Sequence, residues 1–90
     1  MKINIRQVKE KIKSLLRNEI DRENITDWAV GKSRLNDDRN LEFEVREHKD
    51  IIWRALLLLR AADFKVSSTE YFHIMEEFEE LLEKLEEFEE

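Results

Sequence analysis

Ile5, Val8, Ile12, Leu15, Leu16 and Ile20 recur at steps of three and four residues. That spacing lays one apolar stripe along a helix. Ile74, Met75, Phe78, Leu81, Leu82, Leu85 and Phe88 repeat it near the other end of the chain. The sequence has no proline and one glycine, Gly31, and Leu, Glu, Lys and Arg are abundant, which favours helix over turn and strand. Two further stretches complete the pattern. In "DRENITDWAVGKSRL" Asp21 can cap a helix whose buried side carries Ile25, Trp28 and Ala29, with Leu35 at its end. Gly31 weakens its last turns. In "REHKDIIWRALLLLRAAD" only Arg54 and Arg60 are charged between Ile51 and Ala62, so this helix is expected at the centre of a bundle, enclosed by the others.

The expectation is an all-α fold: a compact bundle of four helices over about 4–20, 22–34, 47–62 and 74–88, forming a single helical domain over residues 1–90. Asn4 is the expected N-cap of the first helix. The stretch "NDDRNLEFEV" reads as a solvated connection. Its Asp37 and Asp38 suggest a calcium loop, but the glycine and the distal glutamate are not at EF-hand spacing. The longest apolar run, Ala55–Leu59, is far too short for a membrane span, and the N-terminus lacks the apolar stretch of a signal peptide. The absence of cysteine excludes disulfides and thiolate metal sites. A cytoplasmic protein with no membrane partner is the expectation.

Nothing in the sequence assembles a catalytic constellation. The histidines are His48 and His73, and Ser67 and Ser68 beside His73 lack an orienting acid and an oxyanion hole. Gly31 alone cannot build a phosphate-cradling loop. Glu70 and His73 form one Glu-x-x-His, whereas a di-iron bundle needs two, and Glu44 and Glu47 flank His48 at the wrong spacing. No catalytic, cofactor-binding or metal-binding residues are expected, and no enzyme.

Charge is unevenly distributed. The formal net charge is −6, which on its face argues against a nucleic-acid partner. Residues 1–20 carry six basic and two acidic groups, while residues 76–90 carry nine glutamates and one lysine. The glutamate face is either a solvated surface or one that steers a cationic partner. Tyr71 and Phe72, beside that surplus, are either interface anchors or a packing staple at a helix entrance.

Three stretches, "DRENITDWA", "IIWRALLLLRAADF" and "EYFHIMEEFEELLEKL", resemble small helical immunity proteins of bacterial toxin systems, including contact-dependent inhibition. The similarity covers about residues 21–85. The overall make-up is also similar to immunity proteins of nuclease bacteriocins, which are small, acidic and four-helical. The chain departs from the group at Ala61, where glycine is frequent, and at Leu81 and Leu82, where a tryptophan is usual. The resemblance implies a protein that neutralises a cognate toxin domain, a basic nuclease, through its acidic surface. It implies partner-binding roles for Tyr71 and Phe72 as anchors and for Asp63, Glu70, His73, Glu76, Glu77 and Glu80 as polar contacts. The alternative expectation is a self-associating helical adaptor, in which the partner is a second copy forming a homodimer.

Overall fold

The first helix, α1 (Ile5–Leu16), starts where Asn4 leaves the extended conformation. The Asn4 side chain accepts a hydrogen bond from the Gln7 backbone N–H at 2.8 Å, and Gln7 Oε1 accepts one from the Asn4 N–H at 3.1 Å. This reciprocal box satisfies two amide groups that a helix start leaves unpaired. The far end stops at Leu16, earlier than the apolar stripe suggests, because Asn18 turns left-handed at φ 61°. The Asn18 N–H then donates to Leu15 O and the Glu19 N–H to Ser14 O, the paired bonds of a Schellman cap. In the computed structural model, residues 2–37, 41–67, 70–71 and 75–88 are described.

Helix α2 (Arg22–Asp37) begins as expected at Asp21, whose side chain accepts from the Asn24 N–H at 2.8 Å. It runs straight through Gly31, which is exposed. A 3₁₀ turn, Arg46–His48, leads into α3 (Lys49–Arg60), and α4 (Met75–Glu86) closes the described bundle. The all-α bundle of four helices stands, with shorter first, third and fourth helices and a longer second one.

One feature of the topology departs from the expected picture. Lys2–Ile3 (β1) and Glu42–Phe43 (β2) form a small parallel pair, with Lys2 opposite Glu42 and Ile3 opposite Phe43. "LEFEV" is therefore not a solvated connection: Leu41 is buried and Phe43 packs on the core. The Glu44 N–H donates to Ile3 O at 2.9 Å, and Asn4 Nδ2 donates to Glu44 Oε2 at 2.8 Å. The loop is thus pinned to the cap of α1.

The core joins all these elements, with Ile3, Ile5, Ile12, Ile25, Ile52, Leu56, Leu59, Phe78 and Leu85 fully buried. Helix α1 packs on each of the other three, most closely on α4, while α3 packs chiefly on α2. The enclosure expected of α3 is incomplete: Leu57 is 45% exposed. Arg22 at the start of α2 lies 5.5 Å from the Phe78 ring of α4. Because α2 starts just after α1 ends, α4 enters at the C-terminal end of α1 and runs back along it.

Side chains from α2 finish α3. Thr26 Oγ1 donates to Leu59 O at 3.1 Å and accepts from the Asp63 N–H at 3.3 Å. Arg22 Nη1 donates to Ala62 O at 2.7 Å. Carbonyls at the end of a helix lack intrahelical donors, and here the neighbouring helix supplies two. Among the described residues, no helix is long and apolar enough to cross a membrane.

Candidate functional site

Most of the residues expected to bind a partner sit around the α3–α4 connection. Asp63 is exposed, and its backbone is held by Thr26. Glu70 is exposed within a narrow turn: Lys65 and Tyr71 form an antiparallel bridge, the Val66 N–H donates to Glu70 O, and the Glu70 N–H donates to Ser67 Oγ at 3.1 Å. Tyr71 is half-buried, with the Arg22 guanidinium 3.9 Å from its ring centroid and Lys65 Nζ at 5.3 Å. Stacking on a cation of α2 makes Tyr71 a junction between elements of its own chain. Burial lowers the Arg22 pKa from its usual value, and the charge interaction with Tyr71 opposes that shift. Glu76 and Glu80 point to solvent and Glu77 is half-buried. Phe72 and His73 lie outside the described residues. Among the described residues, no group of three or more His, Asp or Glu side chains gathers as a metal site.

The arrangement that sequence reasoning passed over lies on the other side of the fold, between α1 and α2. A groove of about 380 Å³ is lined by Asn4, Arg6, Gln7, Glu10, Lys11, Trp28 and Lys32. Helical spacing builds it. Gln7 and Lys11 are one turn apart on α1, as are Trp28 and Lys32 on α2, so two rows of side chains face each other across the groove. Trp28, expected in the core, is only half-buried. Lys11 Nζ stands 5.6 Å and Lys32 Nζ 5.9 Å from its ring centroid, both within cation–π range. Two cations therefore flank the indole, and Arg6 adds a third to the lining of the groove. Among the described lining residues the one carboxylate is Glu10, 4.0 Å from Lys13 Nζ.

The surrounding charge reinforces the groove. Residues 2–34 hold nine Lys and Arg against five Asp and Glu, and the rest of the chain holds seven against seventeen. A larger depression of about 510 Å³ beside Leu41, Phe43, Arg46 and Lys49 is less suited to an anion. Residues 41–50 around it carry four carboxylates and two cations. Chemically, the α1–α2 groove can attract an anion and offer a flat apolar face beside it.

Fold and groove together define a small helical protein with a one-sided cationic surface built around an aromatic ring. Over residues 2–85 the chain matches a family described as YxzC DNA-binding protein, and it belongs to that family. No curated protein and no solved structure matches it.

The family assignment corrects the reading by resemblance. The chain is not placed among immunity proteins, and a toxin-neutralising role gives way with that resemblance, as does the self-associating adaptor. The exclusion of nucleic acid is overturned too, by the family's DNA-binding description. Its physical error was to use a sum: a net charge of −6 averages a basic N-terminal part with an acidic remainder. The legible signal was the run of basic residues in α1 together with Trp28 and Lys32 at i, i+4.

Proposed function

We propose that this chain is a non-catalytic DNA-binding protein that holds the phosphate backbone along the α1–α2 groove. The observation that carries this reading is the groove that Arg6, Lys11 and Lys32 share with the half-exposed Trp28, whose ring the two lysines flank. Each cation that neutralises a phosphate releases condensed counterions, so affinity comes largely from entropy and falls as salt rises. The acidic outer face of α4 repels phosphate and turns the basic side toward DNA as the two approach. Its glutamates then orient the encounter and also keep the chain soluble. The cytoplasm is the proposed compartment, in keeping with a DNA-binding role.

Fluorescence anisotropy with a labelled oligonucleotide over a salt series tests the proposal. Three phosphate contacts give a slope of log K against log salt of about −2 to −3. Substituting Arg6, Lys11 or Lys32 by alanine should weaken binding and reduce the slope by about one each. A salt series in which all three variants bind like the parent would rule out the groove as the DNA site.

A further inference from the structure

The proposed DNA-binding role leaves open which form of DNA the groove accepts, and the following step rests on that role. We infer that the groove takes single-stranded DNA, with a base stacked on Trp28 and the flanking phosphates held by Arg6, Lys11 and Lys32.

Three observations lead there. First, the cations lie in a concavity between two helices. A helix that reads duplex DNA must project into a major groove about 12 Å wide. Here α1 is packed against the other three helices, with Ile5, Val8, Ile12 and Leu15 buried.

Second, duplex DNA brings a second phosphate strand, and the surface has no favourable place for it. Packed helices lie about 8–10 Å apart. With one strand in the α1–α2 groove, a second strand about 12 Å away falls roughly one helix further on. On the α1 side lies α4, packed against α1, whose Glu79, Glu80, Glu83 and Glu86 are exposed, with Glu87 exposed just past its end. On the α2 side it meets the exposed Glu23 and Asp27, with Arg34 the nearby cation. A single strand brings only the phosphates that the groove can neutralise.

Third, Trp28 offers what an unpaired base needs and a paired one cannot use. The faces of stacked bases in a duplex are occupied by their neighbours, whereas a single strand can present a face to an aromatic side chain. Trp28 is partly exposed at the groove wall, fixed from behind by its packing on the core and flanked by two lysines. The lysine ammonium groups are at the ends of flexible stems and can move from the ring to flanking phosphates as a base arrives. Asn4 and Gln7, which cap α1, add amide groups at one end of the groove. Stacking on an aromatic tolerates any base, so little sequence preference is expected.

The experiment compares a labelled 20-nucleotide single strand with the matching duplex on the full chain. It adds Trp28→Phe, which keeps an aromatic ring, and Trp28→Leu, which keeps apolar packing without a stacking face. Circular dichroism establishes that both variants are folded. The expected result is single-strand affinity at least about tenfold above duplex affinity. Trp28→Leu should lose about tenfold on the single strand only, and Trp28→Phe should retain most of the affinity. Equal or tighter binding to duplex overturns the single-strand inference and leaves the DNA-binding proposal standing. Trp28→Leu matching the parent on the single strand removes the stacking role. If neither DNA form binds, the DNA-binding proposal itself fails, and this inference with it.

Discussion

Thr26→Val tests the claim that α2 finishes α3. The side chain is 8% exposed and its hydroxyl does two jobs, donating to Leu59 O and accepting from the Asp63 N–H. Valine preserves the branched shape and the apolar contacts but can do neither. The two lost bonds are not equivalent. Leu59 O still accepts from the Ala62 N–H at 3.1 Å, so it keeps a partner. The Asp63 N–H loses the acceptor it has in Thr26. A stranded, partly buried amide costs about 1–3 kcal/mol, and the exposure of Asp63 places this one in the lower part, about 1–2 kcal/mol. For a chain of 90 residues each kcal/mol corresponds to about 4–8 °C, so Tm should fall by about 4–16 °C. Thermal unfolding followed by circular dichroism measures the total, and amide hydrogen exchange measures the cause locally. The Asp63 amide should be protected in the parent and exchange faster in the variant. A variant with unchanged or higher Tm and full protection at Asp63 would show that α2 does not hold the end of α3 in this way, because burial of the valine methyl would then outweigh the bonds.

Other perturbations follow from the same structure. Gly31→Ala should stabilise the chain by about 0.5–1 kcal/mol, since Gly31 lies within α2, has no positive φ and has open space where a Cβ would project; urea denaturation reads this directly. Phe78→Ala should cost about 3–5 kcal/mol through the cavity left at a fully buried site, a large share of the stability of a small domain, and its denaturation midpoint should drop accordingly. Replacing Glu79, Glu80, Glu83 and Glu86 by glutamine should raise affinity for duplex DNA more than for a single strand in the anisotropy assay. No gain for duplex would show that the acids of α4 do not oppose a second strand.

The helices were legible because each carries a period of three to four in its apolar residues, and the first two also have a recognisable start. Asn4 and Asp21 cap as their residue types predict, and all six residues of the first apolar stripe are buried or packed on the core. The end of α1 was less so: Ile20 continues the stripe in sequence, while Asn18 takes the left-handed conformation two residues earlier and closes the helix. Leu41, Phe43 and Val45 alternate with Glu42 and Glu44, the period-two signal of a strand, but two-residue strands are too short to stand out beside four helices. The groove was hidden for a different reason. Asn4, Gln7 and Lys11 are separated from Trp28 and Lys32 in sequence, and only the packing of α1 on α2 brings the two rows together. Tyr71 is the converse case. It stands beside the acidic tract in sequence, yet its ring is stacked under Arg22 of α2.

The opposed charges of this chain and its proposed ligand are reconciled by distance. At physiological salt an exposed charge is screened over about 8 Å, close to the spacing of two packed helices. The described chain extends 38 × 29 × 20 Å, several screening lengths in its longest direction. A phosphate seated between Arg6, Lys11 and Lys32 therefore responds chiefly to those cations, and most of the seventeen carboxylates beyond residue 34 act on it weakly. A phosphate displaced by one helix onto α4 is within one screening length of several glutamates and is repelled. The same length that lets an acidic chain hold one strand thus makes it reject the second. Lowering the salt lengthens the screening distance and brings the carboxylates to bear on the groove itself. Discrimination between single and double strands should then be sharpest near physiological ionic strength and weaken at high salt, where groove and α4 are both screened.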